Sequence, residues 1–220
     1  MSKKIAFFHS TFNTPAVMRE AFERRFPGIP LINIVDDSIL PEVIGNGSRY
    51  TPGIVRRLVA FAVNAQMQGA VAAVCMCTTL TGAVSEASKT VDIPFVTIDG
   101  PMLEQASMAG DKLAVLVTAP TTIEATTQAA RSAAARQNRG GVKIDVILVK
   151  GAFEALNVEK DPDKHDRLIE ETARRAAEEY DVIVMAQITM VRAASRLSDL
   201  SVPVLTSIQS GVEQLAPWLE

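Results

Sequence analysis

The second half of the chain repeats the pattern of the first. "DKLAVLVTAPTT" from Asp111 parallels "KKIAFFHSTF" from Lys3, and "YDVIVMAQITM" from Tyr180 parallels "VAAVCMCTTL" from Val71. "SVPVLTSI" from Ser201 likewise parallels "DIPFVTID" from Asp92. The pairs Lys4/Lys112, Cys77/Gln187 and Pro94/Pro203 keep an offset of about 109 residues. Even "LEQA" near Glu104 has a partner in "VEQL" near Glu213. A constant offset across three strand-like runs implies two similar lobes related by an approximate two-fold axis, with equivalent strand ends facing each other. The boundaries this predicts are 1–100 together with 206–220 for the first lobe and 101–205 for the second.

Within each half, short β-rich apolar runs alternate with helix-length amphipathic stretches, the pattern of parallel strands joined by crossover helices. "KKIAFFHS" reads as the first strand; in "TPAVMREAFERRF", Val17, Met18, Ala21, Phe22 and Phe26 fall at helical spacing. "LINIV" is a second strand, and Ile54, Leu58, Phe61 and Ala65 mark a helix that stops at Gly69. The polar stretch from Asp36 to Thr51, with Pro41, Gly45 and Gly47, predicts an irregular lid or substrate loop. The fold class is therefore α/β, two pseudo-symmetric flavodoxin-like lobes with parallel sheets and an active site in the inter-lobe cleft.

Charge narrows the partners. With 22 basic against 25 acidic residues and a net charge of −3, the sequence carries no basic stripe that would draw it to nucleic acid or an anionic membrane. No apolar run approaches the ~18 residues of a membrane span, and a cytoplasmic protein with a small-molecule partner is expected. The chain has two cysteines, Cys75 and Cys77, one residue apart on one strand. Same-face neighbours point in parallel, so a disulfide between them is not expected.

Ligands of open parallel sheets bind beyond the C-terminal strand ends. That rule lines the cleft with His9, Ser10 and Thr11, with Cys77, Thr78 and Thr79, with Thr118, Thr121 and Thr122, and with Gln187, Ile188 and Thr189. Cys77 ends its strand before "TTLTGAVSEASK", a helix start rich in hydroxyls, where backbone N–H groups converge. Such an environment is expected to lower the thiol pKa and to bind a carboxylate whose enolate the same donors stabilise. Cys75 lies deeper in the strand and reads as core packing. A small buried hydrophobe is the competing reading for Cys77 itself, and helix capping the competing reading for the threonines.

Metal binding fails on ligand count, because only His9 and His165 could join the cysteines. A redox pair would be spaced Cys-x-x-Cys, which this is not. His165, in "DPDKHDRLIEE", reads as a solvated surface residue. His9 ends the first strand, where it could orient a carboxylate, shuttle a proton or serve as a hydrogen-bonded structural histidine.

The paired lobes, the strand ending in Cys-Thr-Thr, "VTAPTT" and "IPFVTIDGPMLEQA" together resemble the aspartate/glutamate/hydantoin racemase superfamily over nearly the whole chain. The resemblance implies chemistry at the α-carbon of a small carboxylate, amino acid or hydantoin, without metal or cofactor, and a homo-oligomer is expected. In two-cysteine members one thiol from each lobe faces the α-carbon; decarboxylases of the superfamily keep one. This chain has Cys77 at the first position and Gln187 at the second, and an amide is not a useful general base near neutral pH. The reading is a racemase-type isomerase in which Cys77 moves the proton and Gln187 orients substrate or stabilises the enolate. A single-cysteine decarboxylase and a non-catalytic small-molecule-binding protein are the alternatives.

Overall fold

The computed structural model describes residues 3–220. The described residues divide into two compact units, one of residues 3–98 and 208–220, the other of residues 99–207. The first contains β1 (Lys4–His9), α1 (Pro15–Arg25), β2 (Leu31–Val35), α2 (Ile39–Gly45), α3 (Pro52–Met67), β3 (Ala70–Cys75), α4 (Thr81–Ala87) and β4 (Phe95–Thr97). The second contains α5 (Gly100–Ala109), β5 (Lys112–Val117), α6 (Ile123–Arg136), β6 (Lys143–Leu148), α7 (Ala152–Asn157), α8 (Pro162–Ala176), β7 (Val182–Met185), α9 (Val191–Ala194) and β8 (Val204–Thr206). The chain ends in α10 (Ser207–Glu213) and α11 (Ala216–Leu219).

Each unit holds one four-stranded parallel sheet, ordered β2-β1-β3-β4 in the first and β6-β5-β7-β8 in the second, so the sequence repeat is a repeat of topology. Alternation along the central strands feeds two apolar layers, as a doubly covered sheet requires. On β1, Phe7 stacks edge-on with Phe22 of α1, while Phe8 meets Phe61 of α3 with ring centroids 5.0 Å apart. On β5, Leu113, Val115 and Val117 join α5 and α6, whereas Ala114 and Leu116 join α8 and α9.

The repeat reaches the helix caps. Thr51 caps α3, its hydroxyl accepting from Ile54 N with Pro52 in the first turn; Asp161 caps α8, accepting from Lys164 N with Pro162 in the first turn. Both prolines sit where a helix has no backbone donor to lose.

The Asp36–Thr51 stretch differs from the expected irregular lid. It forms α2, with Ile39 and Val43 fully buried, and Arg57 holds it by ion pairs to Asp36 and Glu42, both 3.0 Å. Pro41 suggested a break, but it falls in the first turn of α2, where proline is tolerated. The C-terminal helices belong to the first unit. Arg25 pairs with Glu213 and Glu220, and an added Cβ on Gly211 would lie 2.5 Å from the Ile98 carbonyl oxygen.

Candidate active site

The ladders set the position of Cys77. The Met76 amide donates to Phe8 O at 2.8 Å, extending the β1–β3 pairing one residue past Cys75, so the next residue emerges beside Ser10. Cys77 is extended and precedes a 3-10 turn, Thr78–Leu80, that leads into α4. The Ser10 and Thr79 hydroxyls and the Thr79 and Leu80 backbone N–H groups surround its sulfur and favour the thiolate; the Leu80 N–H also donates to the Cys77 carbonyl oxygen at 3.0 Å, closing the turn. Cys75 is fully buried, with its thiol directed to the Cys77 carbonyl oxygen at 3.8 Å.

Four donors favour a thiolate, but burial opposes it and dominates, so the Cys77 thiol titrates above its ordinary range. The sequence alone suggested a depressed pKa; it displays the donors but not the depth of burial. The resting sulfur is a protonated thiol whose anion has four donors waiting.

The second unit repeats the arrangement. The Ala186 amide donates to Leu116 O, and Gln187 emerges beside Thr118 in extended conformation ahead of a second 3-10 turn, Ile188–Met190. Gln187 Oε1 accepts from Thr118 N at 2.6 Å and from Thr118 Oγ1 at 2.8 Å. Ser10 thus meets Cys77 as Thr118 meets Gln187. With both acceptor positions of its oxygen used, the remaining polar group of Gln187 is its NH2, which can only donate.

The remaining predicted residues fall into three groups. Thr78 is buried beside Cys77 and gives its carbonyl to the Thr81 hydroxyl; Thr122 is buried and its hydroxyl caps back to Ala119 O. Thr11, Thr121 and Thr189 are half-buried at the strand ends, and Ile188 is buried among them at 6% exposure. His9 is fully buried with both ring nitrogens engaged: Nδ1 lies 2.7 Å from Thr14 Oγ1 and Nε2 lies 2.9 Å from Asn33 Oδ1. Burial holds its pKa below the ordinary value, outweighing the Asn33 bond. The neutral ring donates from Nε2 to Asn33 and accepts the Thr14 hydroxyl at Nδ1. Asn33 and Thr14 had no signal in the sequence, because neither adjoins a chemistry-bearing motif. His165, expected at the surface, is 1% exposed and bonded through Nδ1 to Asp166. It lies four residues before buried Ile169 on α8 and shares its inward face.

Among the described residues, no cluster of three or more His, Cys, Asp or Glu could hold a metal ion, and no helix is long and apolar enough to cross a membrane.

Fold and site define a class: repeated α/β lobes, each ending its third strand in a turn headed by a residue bonded to a hydroxyl from the first strand. Residues 9–215 match the Asp/Glu/Hydantoin racemase family, and the chain belongs to that family. Among solved structures it is similar to glutamate racemase isoform RacE1 from Bacillus anthracis, at 15% identity and TM-score 0.71, covering 98% of this chain and 80% of that one. It is also similar to allantoin racemase from Klebsiella pneumoniae, at 17% identity and TM-score 0.65, covering 98% and 87%. Unliganded arylmalonate decarboxylase matches at 14% identity and TM-score 0.59, covering 99% and 93%. A search of curated proteins returns no match.

Proposed function

We propose that the protein is a cofactor-independent enzyme acting at the α-carbon of a small carboxylate, amino acid or hydantoin through an enolate-like intermediate. Cys77 is its proton-transferring thiol. The observation that carries this reading is the place of Cys77, buried at the head of the turn after β3, where the Ser10 and Thr79 hydroxyls and the turn amides favour its thiolate. They lower the cost of a thiolate in a buried setting, so the sulfur can cycle between acid and base.

In the isomerase-type direction, the Cys77 thiolate takes the α-proton and the C–H electron pair moves into the adjacent carbonyl or carboxyl group. The thiol, once its proton has exchanged with solvent, returns it to the same face, so hydrogen exchanges with retention; inversion requires solvent to protonate the opposite face, and without a second thiol that step is slow. Gln187 donates from its NH2 group to the substrate oxygen on which negative charge grows. Ser10, Thr79 and the turn amides serve the sulfur, and the half-buried Thr11, Thr121 and Thr189 supply further donors to the substrate. His9 acts here as a positioning residue, since both of its nitrogens hold protein partners.

Two observations favour a second reading, a single-thiol decarboxylase. Cys77 rests protonated, and the equivalent position holds an amide that cannot remove a proton. There the C–C bond to a carboxylate breaks, carbon dioxide leaves, and the enediolate takes the Cys77 proton, which solvent replaces. Both readings require S–H chemistry at Cys77, so one experiment tests them. Small dicarboxylates, amino acids, hydantoins and arylmalonates are incubated with the protein in D2O, and α-deuterium is read by NMR. Wild type is expected to label at least one compound and Cys77→Ala none. Binding without labelling by wild type would make the protein a sensor and overturn the proposal.

A further inference from the structure

In the second unit, where α8 meets α9, a buried His–Asp pair faces two half-exposed arginines that the proton-transfer chemistry does not use. His165 and Asp166 sit one turn into α8, each 1% exposed. His165 Nδ1 donates to Asp166 Oδ1 at 2.9 Å, and among the described residues its Nε2 is buried without a hydrogen-bond partner. Asp166 Oδ2 lies 3.1 Å from Arg192 Nη2 and 3.5 Å from Arg196 Nη2, ion pairs whose angles do not make hydrogen bonds. Arg192 also donates to Asp163 Oδ1 at 2.9 Å. Asp163 and both guanidinium groups reach solvent, whereas Asp166 does not.

A buried ion pair is poor evidence of a stability device, because apolar residues of similar volume often do as well. What it supplies is a single geometry, and the chain path shows where that geometry is delivered. Arg192 lies on α9, which continues without a break from the 3-10 turn headed by Gln187. Two backbone bonds close that turn: Met190 N to Gln187 O, and Val191 N to Ile188 O. A guanidinium clamped to α8 therefore fixes the end of a short rod whose other end presents Gln187.

The first unit braces its own turn at the equivalent place by different means. At the repeat offset, Gly82 and Glu86 stand where Arg192 and Arg196 stand. There the Tyr50 phenol donates to Glu86 at 2.8 Å, and its ring lies so close that a Cβ on Gly82 would be 2.8 Å from Cε1. Each turn is thus tied through its following helix to the segment that packs on it.

We propose that Asp166 is a positioning residue for Gln187, acting through Arg192 and Arg196, with His165 fixing the orientation of its carboxylate. The proposal rests on the reading that Gln187 serves the substrate. Its test has two arms, so that failure of the two ideas can be told apart. In the first, hydrogen–deuterium exchange is measured on the full chain as wild type and as Arg192→Gln, which leaves Asp166 paired with Arg196 and His165. The Met190 and Val191 amides should exchange about ten-fold faster in the variant, while the amides of β5 and β7 and the thermal midpoint stay near wild type. In the second, on any substrate that wild type labels in D2O, kcat should fall about ten-fold with KM within two-fold, and Arg192→Lys should recover part of the loss. A uniform rise in exchange across the second unit, or no change at Met190 and Val191, would overturn the proposal. If wild type labels no substrate, the functional reading fails, and the exchange arm still decides whether the clamp holds the turn.

Discussion

Ser10→Ala offers a quantitative test of how the Cys77 thiol is tuned. The change removes one hydroxyl from the four donors on the sulfur and leaves the Thr79 hydroxyl and the Thr79 and Leu80 amides in place. Ser10 is 7% exposed, so solvent does not readily replace the lost donor. A hydrogen bond to a charged partner contributes about 1.5–3 kcal/mol; sulfur is a weak acceptor, which favours the lower end. A free energy of about 1.36 kcal/mol is a ten-fold change in an equilibrium, so the Cys77 pKa should rise further and the thiolate become about ten-fold scarcer at a given pH. The assay is the pH dependence of iodoacetamide alkylation, with Cys77 and Cys75 separated by peptide mapping. At a pH well below the midpoint Ser10→Ala should be alkylated at Cys77 about ten-fold more slowly than wild type, and the two curves should converge at high pH. A midpoint that stays in place or falls would refute the claim that the Ser10 hydroxyl stabilises the thiolate.

Three further outcomes are expected. Gly211→Ala should cost about 1–3 kcal/mol or more by chemical denaturation, since the new methyl meets the Ile98 backbone oxygen at 2.5 Å and backbone cannot swing aside. Thr51→Ala should cost about 1 kcal/mol by losing the cap on α3, again read from denaturant midpoints. His9 has a folded pKa below its unfolded value of about 6.5, so its contribution is present above that pH and lost as pH falls toward the folded value. Stability measured from pH 7.5 to 5 should therefore decline more steeply in wild type than in His9→Gln.

The fold was legible because its signal is repeated. Strand runs, their order and the paired turns after β3 and β7 appear twice at one offset, and each occurrence supports the other. The same offset led from Cys77 to Gln187, which occupy equivalent backbone positions. What could not be read depended on packing between distant segments. His9 is enclosed because β1 pairs with β2, bringing Asn33 to one ring nitrogen while Thr14 meets the other. His165 lies among charged neighbours in sequence, but its place on the inward face of α8 removes it from water. The Cys77 pKa turned on the balance of donors against burial, and a sequence shows only the donors. The α2 helix was concealed by its own proline, whose effect depends on whether it falls in the first turn or later.

Stereochemistry in D2O tests the central claim, that one thiol moves the proton, most directly. A chiral α-acidic substrate is incubated with wild type, Cys77→Ala and Gln187→Cys, and both deuterium content and enantiomer ratio are followed. Transfer from a single face predicts labelled product of one configuration with wild type and none with Cys77→Ala; on the proposed reading that Gln187 serves the same substrate, Gln187→Cys should racemise it faster. Efficient racemisation by wild type would contradict the account, because it would require a second proton-transferring group that neither Gln187 nor the enclosed His9 provides.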